Sequence, residues 1–163
     1  MNTEATLHLA TKMVSEWATE TQVSEPNRVD GLMATSEDLL NAVMMLRVKR
    51  LGYLAAITGI DLGLEAGEFE VLYHFCAGPV VITLRIRTPR ETPSVPSLSH
   101  YIPSAEPFER ELSEMFGVAV VGIPNPERLY LPDDWPEGVY PLRKDFERSA
   151  LNEERDHEYD TTG

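Results

Sequence analysis

Two stretches of this sequence concentrate residues able to do chemistry or to bind charge. The first is Glu109-Arg110-Glu111, followed by Glu114. On a helix advancing about 100° per residue, Glu109 and Glu111 diverge, so they are not the paired carboxylates of an acid–base site. Arg110 and Glu114 are i,i+4 neighbours, a pairing that contributes about 0.3–0.5 kcal/mol when exposed. Such a face is either solvated or built to meet a partner. The second stretch runs from Asp133 to Phe146 and sets Trp135, Tyr140, Leu142 and Phe146 among charges and the prolines Pro136 and Pro141. It is too interrupted to bury itself as a helix or strand, so its aromatic groups need a surface, its own domain's or a neighbour's. Trp, Tyr and Arg are the residues that anchor interface cores. Arg143 adds a guanidinium fork and Asp145 a carboxylate for ion pairs across a contact.

Elsewhere the chemistry is sparse. Ser94, Ser97 and Ser99 lie near His100 in a Pro-rich stretch, but no GxSxG elbow is present. His74 sits in an alternating run and reads as a half-buried strand residue, and Asp61 reads as a turn former. Cys76 is the single cysteine, which excludes an internal disulfide, a CxxC pair and a self-ligated iron–sulfur cluster. His8, His74, His100 and His157 lack zinc-ligand spacing, and no phosphate-binding glycine loop occurs. No catalytic residue and no metal ligand is assigned. An enzyme reading would have to use Asp61, His74 and Glu111 in a concave pocket with perturbed titrating groups. A solitary protein-binding module is the other alternative, and it expects the C-terminal arm to fold back and bury Trp135.

The elements that must position these residues follow from periodicity. Leu7, Ala10, Val14 and Trp17, with Met13, predict a helix over 4–18, broken by Pro26 and Asn27. Val29–Ala34 reads as a short strand, and Ser36 as the cap of a helix carrying Leu39, Val43 and Leu46 and ended by Gly52. Leu54–Leu62 reads as a strand. Phe69, Val71, Tyr73 and Phe75 alternate, then Val80, Ile82, Leu84 and Ile86, which predicts a hairpin turning at Gly78-Pro79. Ten of the 12 prolines fall between Pro89 and Pro141, so that third of the chain is extended or looped. The exception is a helix over Ser104–Phe116, capped by Ser104, striped by Phe108, Leu112 and Met115, and stopped by Gly117. The expected fold is α+β: two layers, helices on a mixed, mostly antiparallel sheet, with an extended Pro-rich C-terminal arm. Residues 1–123 form the domain and 124–163 the arm plus an acidic tail over Glu147–Gly163.

Charge bounds the partners. Fourteen Lys and Arg against 27 Asp and Glu give −13, which repels phosphate backbones and anionic lipid surfaces. Neither a secretory signal nor a run of ~18 apolar residues is visible, so a cytoplasmic protein without direct membrane insertion is expected.

Glu109-Arg110-Glu111-Leu112, then Glu114-Met115-Phe116-Gly117-Val118, together with Pro141-Leu142-Arg143-Lys144-Asp145-Phe146, resemble the 30-kDa subunit family of respiratory complex I, the NADH:quinone oxidoreductase. Ala56-Ile57-Thr58-Gly59-Ile60-Asp61, Phe69–His74, Arg87-Thr88-Pro89-Arg90 and Val95-Pro96-Ser97-Leu98 extend the resemblance upstream. The lengthened Pro136-Glu137-Gly138-Val139-Tyr140 looks more like the counterparts in membrane-bound, energy-conserving NiFe hydrogenases. The resemblance implies a non-catalytic subunit that binds no cofactor, in the cytoplasmic arm of a membrane-bound complex. It would hold a large subunit, quinone-site or NiFe-bearing, to a small subunit with iron–sulfur clusters. The residues expected to meet those partners are Glu109, Arg110, Glu111, Arg128, Trp135, Tyr140, Pro141, Leu142, Arg143, Lys144, Asp145 and Phe146.

Overall fold

The computed structural model describes residues 2–147. Of the expected acidic tail, everything after Glu147 lies outside the described residues. Helix α1 (Thr3–Trp17) leads directly into strand β1 (Ala18–Ser24), which turns at 25–27 into β2 (Arg28–Met33). Then come α2 (Ser36–Val48), β3 (Tyr53–Asp61), β4 (Glu68–Ala77) and β5 (Val80–Pro89). A short β6 (Ser94–Pro96), a 3-10 turn (Pro103–Ala105), α3 (Glu106–Phe116) and β7 (Ala119–Val121) complete the elements. The main sheet has the order β1-β2-β5-β4-β3. Its pairs are antiparallel except β2–β5, and β6 and β7 form a separate parallel pair. The α+β, two-layer expectation and the β4–β5 hairpin therefore hold.

The helices lie on one face of the sheet because that face carries most of its apolar side chains. Val29 and Met33 on β2, Ile82, Leu84 and Ile86 on β5, and Phe69, Val71, Tyr73 and Phe75 on β4 are buried beneath them. Leu39, Ala42, Val43 and Leu46 of α2 and Ala10, Met13 and Val14 of α1 supply the other layer. Two sheet glycines let helix side chains approach the strands closely. A Cβ on Gly31 would stand 2.3 Å from Val14, and one on Gly59 would stand 2.7 Å from Phe116. A bulge between Leu54 and Ala56 keeps both Leu54 and Ile57 facing inward. The opposite face is sealed by charge instead. Glu70 is 4% exposed and accepts two bonds from Arg85, both 2.9 Å, and one from Arg87 at 3.1 Å. Burial pushes the Glu70 carboxyl up, but the two guanidiniums more than offset it and leave it below its ordinary value.

Several local expectations are corrected. Strand β1 has no buried position, so no apolar alternation marked it in the sequence. Thr35, not Ser36, caps α2: its hydroxyl accepts from the Asp38 N–H, and Asp38 accepts from the Thr35 N–H in return. Ser104 caps nothing, because the 3-10 turn leads straight into α3 and removes the open first turn that a side chain would cap. The buried stripe of α3 is Glu109, Leu112 and Phe116, with Phe108 and Met115 only partly buried. Helix α2 stops at Val48, short of Gly52. Its exit is closed by bonds from Leu51 N–H to Leu46 O (2.9 Å) and from Arg50 N–H to Arg47 O (3.0 Å), with Arg50 at φ 51°.

Candidate partner-docking site

The C-terminal arm is fastened to the domain where β3 ends. Asp61, the last residue of β3, is 4% exposed. Its carboxylate accepts from the Gly63 N–H at 2.8 Å, from the Lys144 N–H of the arm at 2.7 Å, and from the Arg90 guanidinium. Burial pushes the Asp61 carboxyl up, but these donors outweigh it and hold it at about 2 against an ordinary 3.8. Arg90 reaches past Asp61 to Asp145, so one guanidinium joins strand end and arm. The buried Phe69 ring lies under two cations, Arg90 at 4.8 Å and Arg143 at 5.0 Å, and meets Phe116 edge-on. Arg143 also stacks on Tyr140 at 4.4 Å and donates to Phe116 O at 2.7 Å, satisfying a carbonyl at the end of α3. Gly117 must be glycine here: its φ is +70°, and a Cβ would lie 2.4 Å from the Tyr140 ring.

Helix α3 holds the rest of the arm by reading its backbone. Glu114 accepts from three successive amides, Leu129 (3.2 Å), Tyr130 (2.9 Å) and Leu131 (2.8 Å). Arg110 donates to the carbonyls of Glu127 and Arg128, both at 2.8 Å. Arg128 braces the arm internally, donating to Pro132 O at 2.8 Å and Trp135 O at 2.9 Å. Trp135 donates to Val139 O at 2.8 Å and stacks on Phe146 at 6.4 Å. A cleft of about 330 Å³ remains between α3 and the arm, lined by Arg110, Glu114, Arg128, Trp135 and Tyr140 among others.

The family described as "Respiratory-chain NADH dehydrogenase, 30 Kd subunit" matches residues 32–151, from the end of β2 through the arm. The chain belongs to the complex I 30-kDa subunit family. It is 34% identical over 132 residues to formate hydrogenlyase subunit 5 of Escherichia coli, covering 79% of this chain and 22% of that one. To an NADH-quinone oxidoreductase subunit of Moorella thermoacetica it is 34% identical over 128 residues, covering 77% of this chain and 84% of that protein. A chain in the solved structure of the membrane-bound sulfane sulfur reductase, an archaeal respiratory membrane complex, shares the fold with a TM-score of 0.72 at 24% identity, covering 91% of this chain and 89% of that one. Against the other curated relatives that head the comparison, the chain spans 50% and 59% of their length.

Within this 30-kDa-type subunit, the expected docking residues separate into three groups. Glu109 is corrected outright: it is 1% exposed and cannot meet a partner. Its carboxylate takes hydroxyls from Ser97 (2.7 Å) and Ser99 (2.6 Å) and the Leu98 N–H, tying the Pro-rich loop to α3. Arg110, Arg128, Trp135, Tyr140, Arg143 and Asp145 are engaged with their own chain, as described above, and Phe146 is stacked on Trp135. The expected Arg110–Glu114 pair does not form, since both side chains turn to the arm's backbone instead. Glu111 and Pro141 are partly exposed, while Leu142 and the Lys144 side chain are exposed. Asp61, His74 and Glu111 do not converge. Asp61 is saturated on the helix-covered side, and His74 bonds to Thr83 at 3.1 Å on the opposite face. Among the described residues no group of three or more His, Cys, Asp or Glu is placed to hold a metal ion, and no helix is long and apolar enough to cross a membrane.

Asp61, Phe69, Arg90 and Glu114 are the fastening residues that sequence reasoning did not assign to the arm. Asp61 and Arg90 are 29 residues apart and Asp61 and Lys144 are 83 apart, so no local spacing joins them.

Proposed function

We propose that this chain is a cofactor-free assembly subunit of a complex I-like oxidoreductase, of the NADH:quinone or hydrogenase type. Its arm would join a large subunit to an iron–sulfur small subunit at the face of a membrane-bound complex. Subunits of such complexes supply the relatives: one named for NADH-quinone oxidoreductase, another for formate hydrogenlyase. The observation that carries the reading is how the arm is laid down. Its inner side is consumed by bonds to α3 and the end of β3, while Leu129 (36% exposed), Tyr130 (62%) and Leu142 (53%) face outward. An irregular segment held rigid by its backbone, with apolar groups turned to solvent, suits a partner surface that needs little further ordering. The arm folds back as a solitary binding module would have it, but Trp135 is only partly buried, so that expectation is met in part. The family's spread over multi-subunit enzymes favours the assembly reading.

The test is recovery of partner subunits from the native host by a tagged chain. Tyr130→Asp with Leu142→Asp is expected to lower recovery of both partners by at least about tenfold while the purified chain keeps its melting temperature. Unchanged recovery of the two partners by that variant would overturn the reading.

A further inference from the structure

In a chain of net charge −13, most arginines are already spent. Arg28, Arg85, Arg87 and Arg90 are in ion pairs. Arg110, Arg128 and Arg143 cap carbonyls. Among the described residues the exception is Arg47-Val48-Lys49-Arg50 at the end of α2, an exposed run whose three cations make no ion pair with any described residue. Arg50 is also the one non-glycine residue with positive φ among those described. The two bonds that close α2 make it the C′ position, where glycine is the inexpensive choice and a side chain is strained. A strained residue kept where glycine would serve is a reason to look for what its side chain does.

Beside this run lies an apolar groove of about 350 Å³. Its walls include Arg47, Arg50, Tyr53, Phe75, Tyr101 and Ile102. Tyr53 is 67% exposed and Tyr101 39%, and Val48 within the cationic run is 68% exposed. The groove opens at the start of β3, and the arm is fastened at its other end, a nine-residue strand away. That is about 26 Å at ~3.3 Å per residue step, so the two sites are separate.

We propose that this groove docks an acidic segment of another protein. An aliphatic or aromatic side chain of the segment would fill the apolar slot, and its flanking carboxylates would meet Arg47, Lys49 and Arg50. The rim charge decides the occupant. A flat anionic bilayer would meet the chain's net charge of −13 over a wide area and be repelled, whereas a narrow peptide meets only the local cations within a Debye length of about 8 Å. A second copy of this chain brings the same net negative charge and is disfavoured by self-repulsion. The inference does not depend on the assembly role of the arm.

The experiment places the photo-reactive residue p-benzoylphenylalanine at position 53 of the full chain in its native host and maps the crosslinked peptide by mass spectrometry. The supporting result is one identified acidic segment of another protein with an apolar residue at the crosslink. That segment, made as a fluorescent peptide, should bind the purified chain, with affinity lowered at least about tenfold by Arg47→Glu with Arg50→Glu and falling between about 50 and 200 mM salt. Arg50→Gly separates function from folding. It should raise the melting temperature, because glycine relieves the positive φ, and still weaken the peptide severalfold. Crosslinks to a second copy, to residues 148–163 of the same chain or to lipid would each overturn the proposal. So would the absence of any crosslink, or peptide affinity unchanged by charge reversal.

Discussion

Glu109 and Gly117 show how little of a residue's role is carried by its type. Within Glu109-Arg110-Glu111 the three side chains look equally solvated, yet Glu109 is the buried one, held by two serine hydroxyls and one amide. Glu109→Ala would leave those donors unpaired in the core and is expected to cost about 3 kcal/mol or more. Glu109→Gln, which keeps an acceptor there, should cost clearly less. Denaturant midpoints of the two variants check the order, and equal midpoints would contradict it. Gly117→Ala meets both a positive φ and the Tyr140 ring, so a loss of about 1–3 kcal/mol is expected, with earlier proteolytic cleavage within 126–146. That Gly117 ends α3 was legible from its type and position. That it also makes room for Tyr140 was not, since the two are brought together only by the arm's return.

At the scale of elements, the apolar periods located α1, α2, α3 and the β4–β5 hairpin because each buries one face. Strand β1 was invisible for the converse reason: it pairs at the sheet's edge and buries nothing. The arm's attachment is governed by α3 and by the end of β3, and each can be released alone. Glu114→Ala removes the acceptor for three amides and should speed hydrogen exchange at 129–131 while leaving β4 and β5 protected. Asp61 gives a pH-dependent release. Its folded value, about 2, lies below the ordinary 3.8, so its contribution is complete above that ordinary value and disappears as pH falls toward 2. The amount is about 2 kcal/mol at one unit per 1.36 kcal/mol. Trp135 fluorescence in a Trp17→Phe background should report a step in that window, absent in Asp61→Asn.

For the whole molecule, the sheet's helix-free face is closed by Glu70 with Arg85 and Arg87, which removes two arginines that composition alone offers to partners. The exposed chemistry then sorts to two ends of β3: apolar groups on the arm at one, and at the other an apolar groove beside cations that no described carboxylate pairs. The family resemblance was legible in order and spacing of motifs, while the conversion of most of the motif's charges into internal fasteners emerges only in three dimensions. One further consequence concerns time. Asp61 is synthesised 83 residues before the Lys144 amide it accepts from. At roughly 5–20 residues per second, the ribosome takes on the order of 4–17 seconds to cover that distance. The β4–β5 hairpin, whose partners are close in sequence, is complete well before then. During translation the Phe69 end of the sheet therefore waits open, with Arg90 as its first cation, and the arm closes over it only after the sheet has formed.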